Sequence, residues 1–265
     1  MKDVDFVFVL LTYINGEDLV DFFQSVKKNT LNASYIVVNA YHDDNSSEII
    51  KKIADENKAD YIEIPNRGYS YGNNIGITYA KSRYTFKYLV VSNPDIIVDC
   101  MSVDSLAGME NMVIGPKIIN LRGKLQNPMF VSQNLFAQRM VYRGLKKNSK
   151  ILFSFGIVLN KIKRGLFLAF KGAINAPVYQ LHGSFVIFGN NVLAHMDNVY
   201  DNNMFLFAEE SYLAIELKKR GIESIYNPSI VVRHKEDGSM NFRNDISERL
   251  KEANIYVFEK YYGFR

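Results

Sequence analysis

The chain opens on a nearly unbroken apolar run, DFVFVLLTY (5–13). GEDLVDFFQSVKKN (16–29) follows, with Leu19, Val20, Phe22, Phe23 and Val26 at helical spacing. The alternation repeats. SYIVVNA (34–40) reads as a strand and SSEIIKKIADENK (46–58) as a helix capped by Ser46 or Ser47. DYIEIP (60–65) is a third strand, YGNNIGITYAKS (71–82) a third helix and FKYLVVSNPD (86–95) a fourth strand. Strands separated by helical patterns of about 10–15 residues predict right-handed βαβ units. The fold class is therefore α/β, a mainly parallel central sheet flanked by helices.

The second half is less regular. NMVIGPKII (111–119), GSFVIF (183–188) and SIYNPSIVVRH (224–234) read as strands. FAEESYLAIELKKRG (207–221) reads as a helix stopped by Gly221, and DISERLKEANIYVFEKYYG (245–263) as a final helix. No repeat, low-complexity linker or domain boundary interrupts the pattern. The 265 residues, 48% hydrophobic and 23% charged, predict one globular domain with an inserted basic segment at about 125–180.

Within VVSNPDIIVD (90–99), Pro94 lacks an N–H and biases Asn93 away from the helical region, so the strand stops or kinks there. Asn, Pro and Asp form turns, which is one reading. The other is that Asp95 sits at the carboxyl rim of the sheet, where open α/β folds bind ligands. Neither a dinucleotide fingerprint nor a phosphate loop follows the first strand, which counts against a dehydrogenase or P-loop enzyme. Gly68, Gly72 and Gly76, four apart, suit a loop and a helix packed closely on the sheet. Glu209 and Glu210 either complement a helix dipole or form a general base whose pKa rises beside its neighbour. His234, at a strand end, is either structural or a ligand to a metal held by Asp95.

Charge changes the picture in one place. Residues 111–196 hold twelve Lys or Arg and no Asp or Glu, so the remainder carries −8 against a total of +4. This asymmetry predicts an anionic partner. Basic and apolar residues mix in RMVYRGLKKNSKILFSFGIVLNKIKRGLFLAFKG (139–172), as on a surface lying against anionic lipid or on a solvated basic face over a buried apolar side. No nucleic-acid motif accompanies the charge, and no nucleic acid partner is expected. The longest apolar stretch, Ile151 to Leu159, is far short of the roughly 20 residues that span a bilayer. The acids near the N-terminus make a poor signal peptide, and the single Cys100 fits a reducing compartment.

The order of these motifs resembles the family 2 inverting glycosyltransferases of the GT-A fold, and among them the rhamnosyltransferase-like branch that builds bacterial surface polysaccharides. FVFVLLTYINGEDL is similar to that family's first strand and turn, and VVNAYHDDNSSEII to its V-D-N-x-S-x-D-x-S segment. NRGYSYGNNIGI is similar to N-x-G-[FY]-x-x-x-x-N-x-G, and VSNPDIIVD to L-N-P-D-V. VYDNNMFLFAEESYLAIELKKRG resembles the E-D helix motif, YNPSIVVRHKEDGS the P-x-A-x-V-x-H-x-x-G-x-S motif, and EANIYVFEKYYG the closing K-Y-Y-G.

The resemblance implies that Asp95 binds a divalent cation (Mg²⁺ or Mn²⁺) on the donor diphosphate, with His234 beside it. Glu210 takes the place of the catalytic base, with Glu209 adjacent. Thr12, Asn39, Asn66, Gly68, Asn74 and Asn93 fall where the family lines the nucleotide site, and Gly183 and Ser184 where it places small residues before the acceptor-side helix. Here Asn39 stands for the usual Asp, Asn93 for the first metal-motif position, and Glu-Glu for the E-D pair. The implied organisation is a nucleotide-binding half (1–100), an acceptor-binding half (101–242) and a C-terminal helix (243–265). The implied partners are a nucleotide-sugar donor, a saccharide acceptor on a polyprenyl diphosphate and an anionic membrane surface, in capsule or O-antigen synthesis. The expected location is cytoplasmic, peripheral on the inner face of the cell membrane. Two alternatives stand beside this: a catalytically silent GT-A domain that binds membrane or polysaccharide, and a nucleotidyltransferase.

Overall fold

The computed structural model describes all residues except Asn15, Thr30 and 237–242, and the backbone alone of 243–247. Asn15 of the first turn, and Gly238 and Ser239 of the histidine motif, therefore lie outside the described residues.

The first half follows the predicted alternation: β1 (Lys2–Thr12), α1 (Gly16–Lys27), β2 (Ala33–Tyr41), α2 (Asp44–Glu56), β3 (Asp60–Pro65), α3 (Tyr69–Arg83) and β4 (Tyr84–Ser92). β1 lies between β2 and β4, parallel to both, and β3 extends the sheet beyond β2. Its apolar run is continuous because both faces are covered. Val7 and Val9 join one core with Ile77, Leu213 and Leu217, while Phe6, Phe8 and Leu10 join the other with Leu19, Phe22, Ile50 and Ile53. One local expectation fails. The cap of α2 is Asp43, whose Oδ1 accepts from the Ser46 N–H at 2.7 Å, so both serines lie inside the helix.

Past Asn93 the chain leaves the parallel pattern. β5 (Ile96–Cys100) crosses to the far edge, β6 (Val113–Asn120) lies inside, and the sheet order is β3-β2-β1-β4-β8-β6-β9-β5. β8 (Phe185–Gly189) runs antiparallel between β4 and β6, and β9 (Ser224–His234) is parallel to β6 and antiparallel to β5. The short β7 (Ala176–Val178) also pairs with β9. The helices of this half are α4 (Leu135–Lys146), α5 (Lys150–Lys171), α6 (Asn190–Leu193), α7 (Glu209–Arg220) and α8 (Arg243–Lys260). Gly221 ends α7 in the left-handed conformation, φ 68°.

The basic segment is an antiparallel pair of helices, α4 and α5. The two approach closely at glycines. A Cβ on Gly156 would stand 2.5 Å from the Ala137 carbonyl oxygen, and one on Gly144 the same distance from the Phe153 nitrogen. α4 rests on α8 through Tyr142, Phe258 and Phe264.

Candidate functional site

The carboxyl ends of β1, β2 and β3 carry a polar row fixed by strand register, in which Thr12 stands opposite Asn39 and Asn39 opposite Glu63. The Asn39 amide donates to Ser47 Oγ (2.9 Å), Tyr61 OH (3.0 Å) and Glu63 Oε2 (3.4 Å), and its oxygen accepts from Thr12 Oγ1 at 3.4 Å. The Tyr61 hydroxyl in turn donates to Glu63 at 2.8 Å, which holds that carboxyl below its ordinary pKa. An open depression lined by Asp44, Ser47, Lys51, Tyr61 and Glu63 borders the row. Asn39 suits its place because an Asp would set a second carboxylate against Glu63, whereas the amide donates to it.

The second group lies at the turn after β4. The Asn93 N–H donates to the Ser184 carbonyl (2.9 Å) and the Asp95 carbonyl accepts from the Lys235 N–H (3.0 Å), so the turn bridges the start of β8 and the end of β9. Pro94 stops the strand in a turn, and the stop sets Asp95 beside His234. Asp95 is 6% exposed and His234 8%, with Asp95 Oδ2 3.3 Å from His234 Nε2. Asp95 Oδ1 is buried with no hydrogen-bond partner.

Two residues that sequence reasoning missed orient His234. Gln126 donates its amide N–H to Glu236 Oε1 (2.5 Å) and turns its oxygen to His234 Nδ1 (2.9 Å). A carboxylate only accepts, so this order of contacts assigns a hydrogen to Nδ1, and Nε2 faces Asp95. An imidazole nitrogen beside a carboxylate with an unpartnered oxygen is a donor set that suits a hard or borderline divalent cation. Among the described residues no group of three or more His, Cys, Asp or Glu is placed to hold a metal. Further ligands to a cation there would be water or ligand oxygens.

The third group is the Glu pair. Phe207 and Ala208 both adopt left-handed backbone (φ 75° and 65°), a conformation costing non-glycine residues about 1 kcal/mol or more each, directly before α7 begins at Glu209. Gly68, at the start of α3, makes the turn possible. Its φ is +94°, and a Cβ there would stand 2.2 Å from the Phe205 carbonyl, which accepts from the Tyr69 N–H at 2.7 Å. Glu209 is buried with Oε1 unpartnered, and Glu210 is half-buried. Glu210 lies against Gly183, where an added Cβ would meet its Oε1 at 2.9 Å. Burial raises the pKa of both carboxyls, and Glu209, further opposed by Glu210, is pushed up to about 8. Tyr69 and Tyr200 line the same small cavity, and the Tyr69 hydroxyl donates to the Gly183 carbonyl at 2.9 Å.

The segment His182–Ser184 joins the last two groups. Gly183 abuts Glu210, Ser184 accepts from Asn93, and the His182 ring packs edge-on against His234 with centroids 5.6 Å apart. Burial, and then His234, lower the His182 pKa to about 3, so this ring is neutral. Sequence reasoning named its two neighbours but not His182 itself. An isolated His before Gly-Ser carries no signal until β8 sets it against β9.

Not all predicted residues converge. Asn66 is exposed and accepts from the Gly68 N–H at 3.2 Å, which shapes the turn. Asn74 stands apart. Its oxygen accepts from Val199 and Tyr200 N–H groups and its amide donates to Tyr200 O and Asn202 Oδ1, so it clamps α3 to the 199–202 segment with its capacity spent. Gly72 and Gly76 bear out the packing reading, since added Cβ atoms would meet Leu11 and Val9 of β1 at 2.4 and 2.3 Å.

Comparison with known proteins agrees with this architecture. The Low-salt glycan biosynthesis hexosyltransferase Agl10 of Haloferax volcanii is 26% identical over 124 residues, 45% of this chain, and the match spans only 38% of that relative. A crystal structure of GalNAc-T7 with UDP, GalNAc and Mn²⁺ superposes with TM-score 0.60 at 12% identity, covering 88% of this chain and 44% of the other. The mannosyltransferase PcManGT from Pyrobaculum calidifontis, solved with GDP-Man and Mn²⁺, gives TM-score 0.54 at 13% identity, over 98% of this chain and 71% of that one. Residues 7–107, which include Thr12, Asn39 and Asp95, match the Glycosyl transferase family 2 model, and the chain is built on the α/β fold of the GT-A glycosyltransferases.

Proposed function

We propose that the chain is an inverting, divalent-cation-dependent glycosyltransferase of the rhamnosyltransferase-like branch. It moves a hexosyl or deoxyhexosyl group from a nucleotide-diphosphate sugar to a hydroxyl of a saccharide acceptor linked to a polyprenyl diphosphate, in surface polysaccharide synthesis. The observation that carries this reading is the segment His182–Ser184, which sets a raised-pKa carboxylate pair on one side and the Asp95–His234 pair on the other. That is the division of labour a displacement on a nucleotide sugar needs: a base for the incoming hydroxyl and charge neutralisation for the outgoing diphosphate.

In this mechanism Thr12 and Asn39, with Tyr61 and Glu63, face the nucleoside, and Glu63 supplies the carboxylate that Asn39 lacks. Asn93 and the backbone at Gly68 border the diphosphate, and Asp95 and His234 hold the cation. A bound Mg²⁺ or Mn²⁺ neutralises charge growing on the leaving group. Glu210 accepts the acceptor's hydroxyl proton as that oxygen bonds to the anomeric carbon from the face opposite the breaking bond to the diphosphate, and configuration inverts. Burial of the Glu pair raises the basicity of Glu210 toward the working pH. The neighbours solved with UDP or GDP-Man and Mn²⁺ support the donor class and the cation.

The test is a thermal-shift panel of nucleotide diphosphates and nucleotide sugars with and without Mn²⁺, followed by transfer assays. One donor family should stabilise the protein in a Mn²⁺-dependent way. Glu210→Gln should lower transfer by about 10²–10⁴-fold while that stabilisation persists. Full activity in the variant removes Glu210 from the base role, and no stabilisation by any nucleotide favours a silent binding domain.

A further inference from the structure

The α4–α5 pair leaves a long apolar surface uncovered. Along α5, Ile151, Phe155, Val158, Ile162 and Leu166 are exposed, at steps of four, three, four and four residues. That spacing puts them on one stripe of the helix. The opposite side, at Gly156 and Asn160, is the one packed on the protein. Phe170 (83% exposed) extends the stripe at one end, Ile151 (82%) closes it at the other, and Phe136 of α4 packs its ring on Phe155 with centroids 6.4 Å apart. The helix is 22 residues, about 33 Å long, and the stripe runs most of its length.

Charge selects what covers it. Lys150 and Lys161 flank the stripe on one side and Lys163 on the other, with Lys147 and Lys171 at the ends, and no acid occurs between residues 111 and 196. Lys147, Lys150, Lys161 and Lys171 are exposed and form no ion pair among the described residues, whereas Lys146 is paired with Glu259. A second copy of this face would oppose cation to cation. An anionic bilayer surface complements both the apolar stripe and the lysines beside it. No described helix is long and apolar enough to cross a membrane.

We propose that α5, with Phe136 of α4, lies in the headgroup region of an anionic phospholipid bilayer, its axis along the membrane plane. The surface is linked to the candidate site through Arg164, whose guanidinium donates to the carbonyls of Pro128 and Leu125, both at 2.6 Å, on either side of the segment that carries Gln126. The inference stands on the exposed face and its charge, and goes beyond the transferase reading without depending on it.

Vesicle flotation of the full chain tests it, using phosphatidylcholine alone and phosphatidylcholine with about 30% phosphatidylglycerol. The protein should float with the anionic vesicles only, and should be released at high salt, which screens the lysines. Phe155→Ser/Ile162→Ser/Leu166→Ser should abolish flotation. Lys150→Gln/Lys161→Gln should lower the partition coefficient roughly 30-fold. All these side chains are solvent-exposed, so circular dichroism and melting should stay near the parent's. No flotation with either vesicle overturns the proposal, as does flotation that the triple serine variant retains. A concentration-dependent dimer dissolved by that variant, without vesicle binding, assigns the stripe to a second copy instead. Transfer to a water-soluble acceptor separates the two readings: a vesicle-binding protein without transfer sinks only the enzyme, and a soluble transferase without vesicle binding sinks only the docking surface.

Discussion

Glu209 and Glu210 are neighbours in sequence with different surroundings, and pH should tell them apart. Glu209 is buried, titrating near 8 in the folded chain against 4.5 for an ordinary Glu. Between those values the folded state keeps a proton that the unfolded chain has lost, so the group lowers stability progressively as pH rises from about 4.5 to 8. Glu209→Gln removes the term. The variant should melt several degrees above the parent at pH 8 and with no advantage near pH 4, as read by thermal unfolding across pH. An advantage independent of pH would mean that packing, not charge, sets the effect. At this scale the sequence announces the carboxylates but not their partners. Glu63, Gln126 and His182 gain meaning only from strand register and from the β8–β9 approach, which no local pattern encodes.

Among the elements, α8 shows how a remote helix holds the turn before α7. Asp201 accepts from Tyr256 (2.7 Å), Tyr261 and Lys260 (3.1 Å) of the C-terminal segment, and its other oxygen accepts from Asn203. Burial alone would raise its pKa, but donation from Tyr261, Asn203 and Tyr256 outweighs it and holds the carboxyl well below the usual range. The stability this contributes is present above the unfolded carboxyl pKa and is lost only as pH falls through the depressed folded value. Asp201→Asn should cost about 2–3 kcal/mol by urea unfolding at neutral pH. Because Asp201 precedes the left-handed pair at Phe207 and Ala208, the same variant should lower transfer without changing nucleotide stabilisation.

The alternation from β1 to β4 was legible because β1, β2 and β4 are apolar on both faces and α1 and α2 on one. The α4–α5 pair was not, because the regular apolar stripe of α5 faces outward while its packed side carries Gly156 and Asn160, so the pattern points to no core for it to cover. The antiparallel entry of β8 was hidden for another reason: GSFVIF reads as a strand of either direction.

Across the whole molecule, the candidate site is closed by contacts between distant parts of the chain. Ile96 pairs with His234 across β5 and β9, and Lys235, next along, reaches back to Asp18 (2.8 Å) and Asp21 (2.5 Å) of α1. The fold therefore has one group of candidate residues, Thr12, Asn39 and Glu63, set by local βα units and another, Asp95 and His234, that waits for β9 to join β5.

That closure has a consequence for synthesis at the ribosome. The β1–β4 units emerge first and pair among sequence neighbours, and β6 gains β8 as a partner before β9 is made, whereas β5 pairs with β9. A nascent chain arrested with Arg220 as its last residue outside the tunnel should protect residues 1–92 from protease and leave residues 96–100 cleavable. Release through Lys235 should protect both together. Early protection of 96–100 would show that β5 settles without β9. In its absence, Asp95 spends that interval without His234 beside it, and the Asp95–His234 pair forms only once β9 is complete.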